Sequence, residues 1–120
     1  MEFQMQKANL LADNINRFIK FIYIHYENRS SSSIKNADKL YQIKLFIEEY
    51  RFQIIADELK RINQYDWNEK YTLYLVDEFY KGISVIDQYV NHHYEDLFLV
   101  SARLYTLKSL SLTIKKTGQE

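Results

Sequence analysis

Apolar residues recur along this chain at spacings of three and four, the period of a helix face and not the alternation of a strand. In the first such stretch, about Phe3 to Glu27, Ala8, Leu11, Ala12, Ile15, Ile19, Ile22, Tyr23 and Tyr26 share one face, with Phe18 at its edge. Gln6, Asn9, Asp13, Asn16 and Lys20 fall opposite, so an amphipathic helix is predicted. Phe3, Leu10 and Phe21 form a smaller second strip, where a second neighbour can pack.

The pattern stops at Asn28 to Asn36, which holds four consecutive serines, Ser30 to Ser33. Serine competes for backbone hydrogen bonds and favours turns and caps, so this is a connector ending in an N-cap at Ser33 or Asn36. A second helix is predicted from about Ala37 to Asn63. It carries two stripes: Leu40, Ile43, Ile47, Tyr50 and Ile54 on one side, Tyr41, Leu45, Phe52, Ile55 and Leu59 roughly 120–180° away. The link Gln64 to Asn68 contains Asp66-Trp67-Asn68-Glu69, the spacing of a capping box with Asp66 as cap and Asn68 as the alternative.

The third predicted helix covers about Glu69 to Asn91, with Leu75, Val76, Phe79, Ile83, Ile86 and Val90 inward and Lys70, Asp77, Lys81, Ser84 and Gln88 outward. Gly82 lies near its buried face. An interior glycine costs about 0.5–1 kcal/mol relative to alanine, which implies that another helix comes close there. The fourth, about Glu95 to Ile114, is apolar around most of its circumference, with Leu97, Val100, Leu104, Leu107 and Ile114 as the main stripe, Phe98, Tyr105 and Leu112 on one side, and Leu99 and Leu110 on others. Such a helix is either central to a bundle or covered by a partner. Residues 115–120 read as a frayed tail, and residues 1–114 as one domain.

Composition sharpens the fold. The chain has 120 residues, the size of one domain, and is 47% apolar, enough for a core. It has no proline and only two glycines. A sheet protein of this size needs several turns built from those residues, and long helices need almost none. The expected architecture is all-α, an antiparallel bundle of about four helices.

Charge and chemistry narrow the function by exclusion. Sixteen basic residues balance sixteen acidic ones, so no overall attraction to nucleic acid or an anionic membrane is expected, and solvated surface is the better reading of pairs such as Lys60-Arg61 and Lys115-Lys116. The N-terminal stretch is broken by Asp13, Asn14, Asn16 and Arg17 and lacks a signal-peptide cleavage pattern. No apolar run approaches the ~20 residues of a membrane span, and a cytoplasmic location is expected. There is no cysteine, which removes thiol catalysis and thiolate metal sites. No nucleophile elbow and no glycine-rich phosphate loop occurs. His92, His93, Glu95 and Asp96 cluster at a helix junction without the ligand spacing of a structural metal site. No enzyme activity, cofactor or metal is expected.

What remains is surface. Eleven tyrosines and seven phenylalanines suit either an interface or a core whose hydroxyls reach out to water. In the second predicted helix Lys44, Arg51 and Glu58 recur every seven residues, drifting only ~20° per step, between the two apolar stripes. A few charges in an apolar surround give an interface its register. Lys44, Tyr50, Arg51, Ile54 and Glu58 are therefore the candidate interface residues. The expected role is a small protein-binding protein of immunity, inhibitor or regulatory type, acting on another protein or as a homodimer. Its abundance of residues with AT-rich codons suits a bacterium or a mobile element. A nucleic-acid-associated regulator, acting as a dimer, is the alternative.

Overall fold

The computed structural model describes residues 2–28 and 37–119, with side chains over 4–28 and 37–116. All its regular structure is helical: α1 (Glu2–Glu27), α2 (Ala37–Glu49), α3 (Phe52–Tyr65), α4 (Glu69–Asn91) and α5 (Phe98–Gln119). The serine connector, with the cap expected at Ser33 or Asn36, lies outside the described residues, as does the Phe3 side chain.

The bundle has four rods, one of them broken into α2 and α3. Both α1 and α4 pack against α2, α3 and α5, so the rods touch in chain order around a ring. Successive rods run antiparallel. Asn63, at the end of α3, donates to the Met5 carbonyl at the start of α1 (2.9 Å), while Tyr23, late in α1, donates to Glu48 at the end of α2 (3.1 Å). Lys108 and Lys115 of α5 likewise reach back to Asp87 and Asp77 of α4, each at 2.9 Å. The result is an elongated molecule of 44 × 24 × 21 Å.

The predicted faces of α1 and α4 are the buried ones. Ala8, Leu11, Ala12, Ile15, Phe18, Ile19 and Ile22 meet Leu75, Val76, Phe79, Ile83, Ile86 and Val90 in one core. The cap of α4 is Asn68, whose Oδ1 accepts the Tyr71 amide at 2.9 Å. Asp66 instead ends α3, its own amide bonded to the Ile62 carbonyl. Two differences concern the last helix. It starts at Phe98, because residues 92 to 96 turn and the Leu97 amide closes back on His93 and Tyr94. It also continues past Ile114 to Gln119, where a frayed tail was expected, with Lys115 tied to Asp77.

The main correction is the second predicted helix, which is two helices. Arg51 adopts φ 56° and ψ 43°, the left-handed conformation. Its amide closes α2 on the Glu48 carbonyl (3.2 Å), and its carbonyl opens α3 by accepting from Ile55 (3.0 Å). The break resolves the puzzle of the two stripes. Before it, Leu40, Ile43 and Ile47 are buried while Tyr41 and Leu45 are exposed. After it, Phe52, Ile55 and Leu59 are buried while Ile54 is 58% exposed. A straight helix cannot turn both stripes inward; two helices joined by a left-handed residue can.

Gly82 is where the break seats. A Cβ on Gly82 would stand 2.7 Å from both Phe52 Cε1 and Tyr50 Cβ. Phe52 packs beside this notch with its ring 4.7 Å from that of Phe79. Gly82→Ala therefore sets two effects against each other: up to about 1 kcal/mol gained in helix propensity, and about 1–3 kcal/mol lost to overpacking. The clash with a backbone-proximal Cβ wins, and the variant is expected to melt below wild type. Arg51→Gly should shift the melt in the opposite direction by a smaller amount, since a left-handed non-glycine residue costs about 1–2 kcal/mol and glycine gives part of that back as unfolded-chain entropy. Thermal unfolding of the two variants checks both signs.

Candidate functional site

The break distributes the five candidate interface residues among three surroundings. Tyr50, Arg51 and Ile54 come together, lining a cleft of about 280 Å³ between the α2–α3 junction and the outer face of α4, which contributes Tyr74, Leu75 and Glu78. Among the described residues the Arg51 guanidinium has no ion-pair partner.

Lys44 and Glu58 do not join this cleft. Lys44 turns toward α1, 5.4 Å from the ring centre of Tyr23 and 5.8 Å from that of Tyr26, with Glu48 at 3.4 Å. Glu58 sits one turn beyond Ile54 in a closed polar group. It accepts from Arg61 Nε and Nη2 and from the Tyr71 hydroxyl, each at 2.9 Å. The paired guanidinium, helped by the phenol, pulls its pKa down to about 2, and the carboxylate in turn pushes the Tyr71 hydroxyl up. Lys44, Arg51 and Glu58 thus do not form one continuous seam.

Three of the four junction residues, His92, His93 and Asp96, are engaged within the chain. Asp96 is held by Lys39, His92 Nδ1 lies 2.8 Å from the Gln88 carbonyl, and the His93 ring packs 4.8 Å from that of Tyr89. Among the described residues no three His, Asp or Glu side chains converge as a metal would need.

The tyrosines divide by position. Tyr23, Tyr26, Tyr50, Tyr71, Tyr80 and Tyr89 are half-buried against the core, the arrangement of an apolar ring with a wet hydroxyl. Tyr41, Tyr65, Tyr74, Tyr94 and Tyr105 are exposed.

The surface that the helical pattern left least resolved is α5. Val100, Leu104, Leu107, Ser111 and Ile114 are buried. Two residues out of phase, Phe98, Ala102, Tyr105, Ser109, Leu112 and Lys116 are all exposed and make a second stripe on the opposite side. Phe98, Tyr105 and Leu112 are 59%, 75% and 45% exposed, and Tyr94 extends the stripe with its ring 5.9 Å from Phe98. The helix is a corner of the bundle, not its centre, so its apolar circumference is left half uncovered. The sequence groups Phe98, Tyr105 and Leu112 on one side of the helix; that this side is the exposed one comes from the structure.

Beside it, where α5 meets α1, Arg17, Lys20, Phe21, Ile24, His25 and Arg103 line a shallow groove. Arg103 lies 4.2 Å over the Phe21 ring. Among the described residues Arg17, Lys20 and Arg103 have no carboxylate partner.

Comparison with protein-family models, with curated proteins and with solved structures finds no match to this chain. No helix among the described residues is long and apolar enough to cross a membrane.

The closed carboxylates predict an acid response. Glu58, Asp77 and Asp96 all have pKa values held below the ordinary carboxylate range by their cation partners, Arg61, Lys115 and Lys39. Groups of this sign contribute stability that is present above their unfolded pKa, about 4, and is lost as pH falls through the folded value. The melting temperature is expected to drop from about pH 4.5 toward pH 2, and Glu58→Gln should make that drop shallower. Thermal melts across this range check it.

Proposed function

We propose that this chain is a non-catalytic protein-binding module, and that the outward face of α5 is the surface it binds with. One observation carries the reading: three large apolar side chains, Phe98, Tyr105 and Leu112, stand a heptad apart on one helix face and are all exposed. A monomer rarely leaves such a row to water, because each side chain forgoes part of the roughly 1.5–3 kcal/mol that full burial of a large apolar side chain gives. Exposed aromatics of this kind are the anchors that dominate protein interfaces. The balanced charge and the lack of nucleophile, metal-ligand and phosphate-binding patterns agree with a role in binding over one in catalysis. Such a protein suits an immunity, inhibitor or regulatory role in the cytoplasm of a bacterium or in its mobile elements.

The Tyr50, Arg51 and Ile54 cleft is a lesser candidate for the same role. It offers one unpaired cation and one exposed aliphatic, against a whole helix face on α5.

A double substitution, Phe98→Ala with Leu112→Ala, tests the reading. Both side chains are exposed, so the melting temperature should stay within about 2 °C of wild type. Proteins retained from a native lysate by the immobilised wild-type chain should be lost by the variant. Equal retention by both would reject α5 as the binding surface.

A second reading rests on the groove between α1 and α5. Arg17, Lys20 and Arg103 gather there with no acidic partners among the described residues, and Phe21 lies beside them as an apolar base. This is the local arrangement a nucleic-acid-associated regulator needs on a neutral protein. It predicts retention on heparin at low salt that falls steeply as salt rises and is lost in Arg17→Glu with Arg103→Glu. Elution of wild type with the void at ~50 mM salt would exclude it.

A further inference from the structure

We infer that the partner for which the outward face of α5 is shaped is a second copy of the same chain, with the two α5 helices packed antiparallel about a twofold axis near Leu107. The inference deepens the protein-binding reading above and rests on it.

The first support is size. Along the stripe large and small residues alternate: Phe98, Ala102, Tyr105, Ser109, Leu112, Lys116. The 4-3-4-3 spacing is that of a coiled-coil seam, in which knobs from one helix enter holes on the other. In an antiparallel pair centred near Leu107, Ala102 faces Leu112 of the second copy and Tyr105 faces Ser109. Phe98 faces Lys116, whose aliphatic stem can cover the ring while its ammonium stays wet. Every large residue meets a small or flexible one. A parallel pair in register would stack Tyr105 on Tyr105 and Ala102 on Ala102, leaving alternate clashes and gaps along the seam.

The second support is charge. Phe98–Gln119 contains no Asp or Glu, so two copies of this helix would repel unless the cations found partners. Arg103 lies off the stripe, over the Phe21 ring of α1, and within each chain Lys108 is neutralised by Asp87 and Lys115 by Asp77. Among the described residues Lys116 has no carboxylate partner and Glu95, in the turn three residues before Phe98, has no cation partner. The antiparallel twofold brings Lys116 beside the Phe98 end of the second helix, within reach of its Glu95, and does so twice. The flanks are compatible: Leu99 approaches Thr113, Ser101 approaches the Asp77-bound Lys115, and the self-facing Lys108 residues each carry their own Asp87.

Extent sets the strength of the association. From Phe98 to Lys116 the stripe is about 27 Å long at 1.5 Å per residue, and about 10 Å wide. Such a footprint, roughly 270 Å² on each copy, falls well below the ~800 Å² per partner of a standard interface, so the dimer is weak, reversible and concentration-dependent.

The test uses the full chain, which lacks cysteine. In sedimentation velocity, wild type should pass from monomer to dimer across the micromolar to millimolar range. Ala102→Glu should remain a monomer with an unchanged circular dichroism spectrum. Lys116→Glu should weaken the dimer several-fold, and adding Glu95→Lys to it should restore wild-type association. Under mild oxidation, Ala102→Cys and Leu112→Cys should each stay uncross-linked alone and form a disulfide when mixed. Self-cross-linking of Ala102→Cys alone would overturn the antiparallel arrangement. A wild-type chain that stays monomeric throughout would overturn self-association. In that case, loss of lysate partners by the Phe98→Ala, Leu112→Ala variant would leave the broader protein-binding reading standing, and unchanged retention would remove both.

Discussion

The structure turns on the contact between Gly82 and the Tyr50–Phe52 junction. Only a residue without a Cβ lets the α2–α3 break approach α4 so closely, with Phe52 Cε1 and Tyr50 Cβ both 2.7 Å from where that atom would be. The break in turn decides which side chains of residues 37–65 are core. Without it one stripe would be buried and the other left in water. With it, Ile43 and Ile47 on one side of Arg51 and Ile55 and Leu59 on the other all enter the same interior. A backbone strained at a single non-glycine residue is held because the burial on both sides of it outweighs the strain.

The same break rearranges the surface. It ends the sevenfold charge row at Arg51, so Lys44 turns to the tyrosines of α1 while Glu58 is locked by Arg61 and Tyr71. The cleft left at the junction is therefore small, and the larger unpartnered surface lies elsewhere. On α5 the buried and exposed stripes are two residues out of phase, which places them on opposite sides of the helix. A helix at the corner of a four-rod bundle has two neighbours, and the side away from both stays bare unless another molecule covers it.

Apart from the bond from the buried Asn63 to the Met5 carbonyl, the inter-helix polar contacts among the described residues sit around the core. Lys60 with Asp13, Lys108 with Asp87, Lys115 with Asp77 and Gln53 with Asn16 join neighbouring rods at partly exposed positions. Pairs of that kind add little each. Their value here is registry: each pair is satisfied only when its two rods are at one axial offset. Because Asp77 and Asp87 already engage two of the α5 lysines, α5 can present outward a stripe whose one charge is Lys116, despite containing no carboxylate of its own.

Much of the fold was written in the local sequence. The absence of proline and the 3.6-residue periodicity determined an all-helical chain, and the buried faces of α1 and α4 followed from spacing, with Tyr23 and Tyr26 only half-buried at the end of the α1 face, because a helix position fixes its direction. Gly82 as a point of close approach was legible for the same reason: an interior glycine needs a packing cause. The break at Arg51 was not legible, since neither glycine nor proline marks it and the glycine that permits it lies on another helix. The candidate residues on the second predicted helix were placed as though that helix were straight, so Tyr50, Arg51 and Ile54 were brought together and Lys44 and Glu58 were not. The uncovered face of α5 was half legible: sequence showed a helix with too much apolar circumference for one neighbour, but not whether it sat at the centre or at a corner. Periodicity is set by each helix alone, whereas a corner position depends on which other helices pack beside it, and only the tertiary structure decides that.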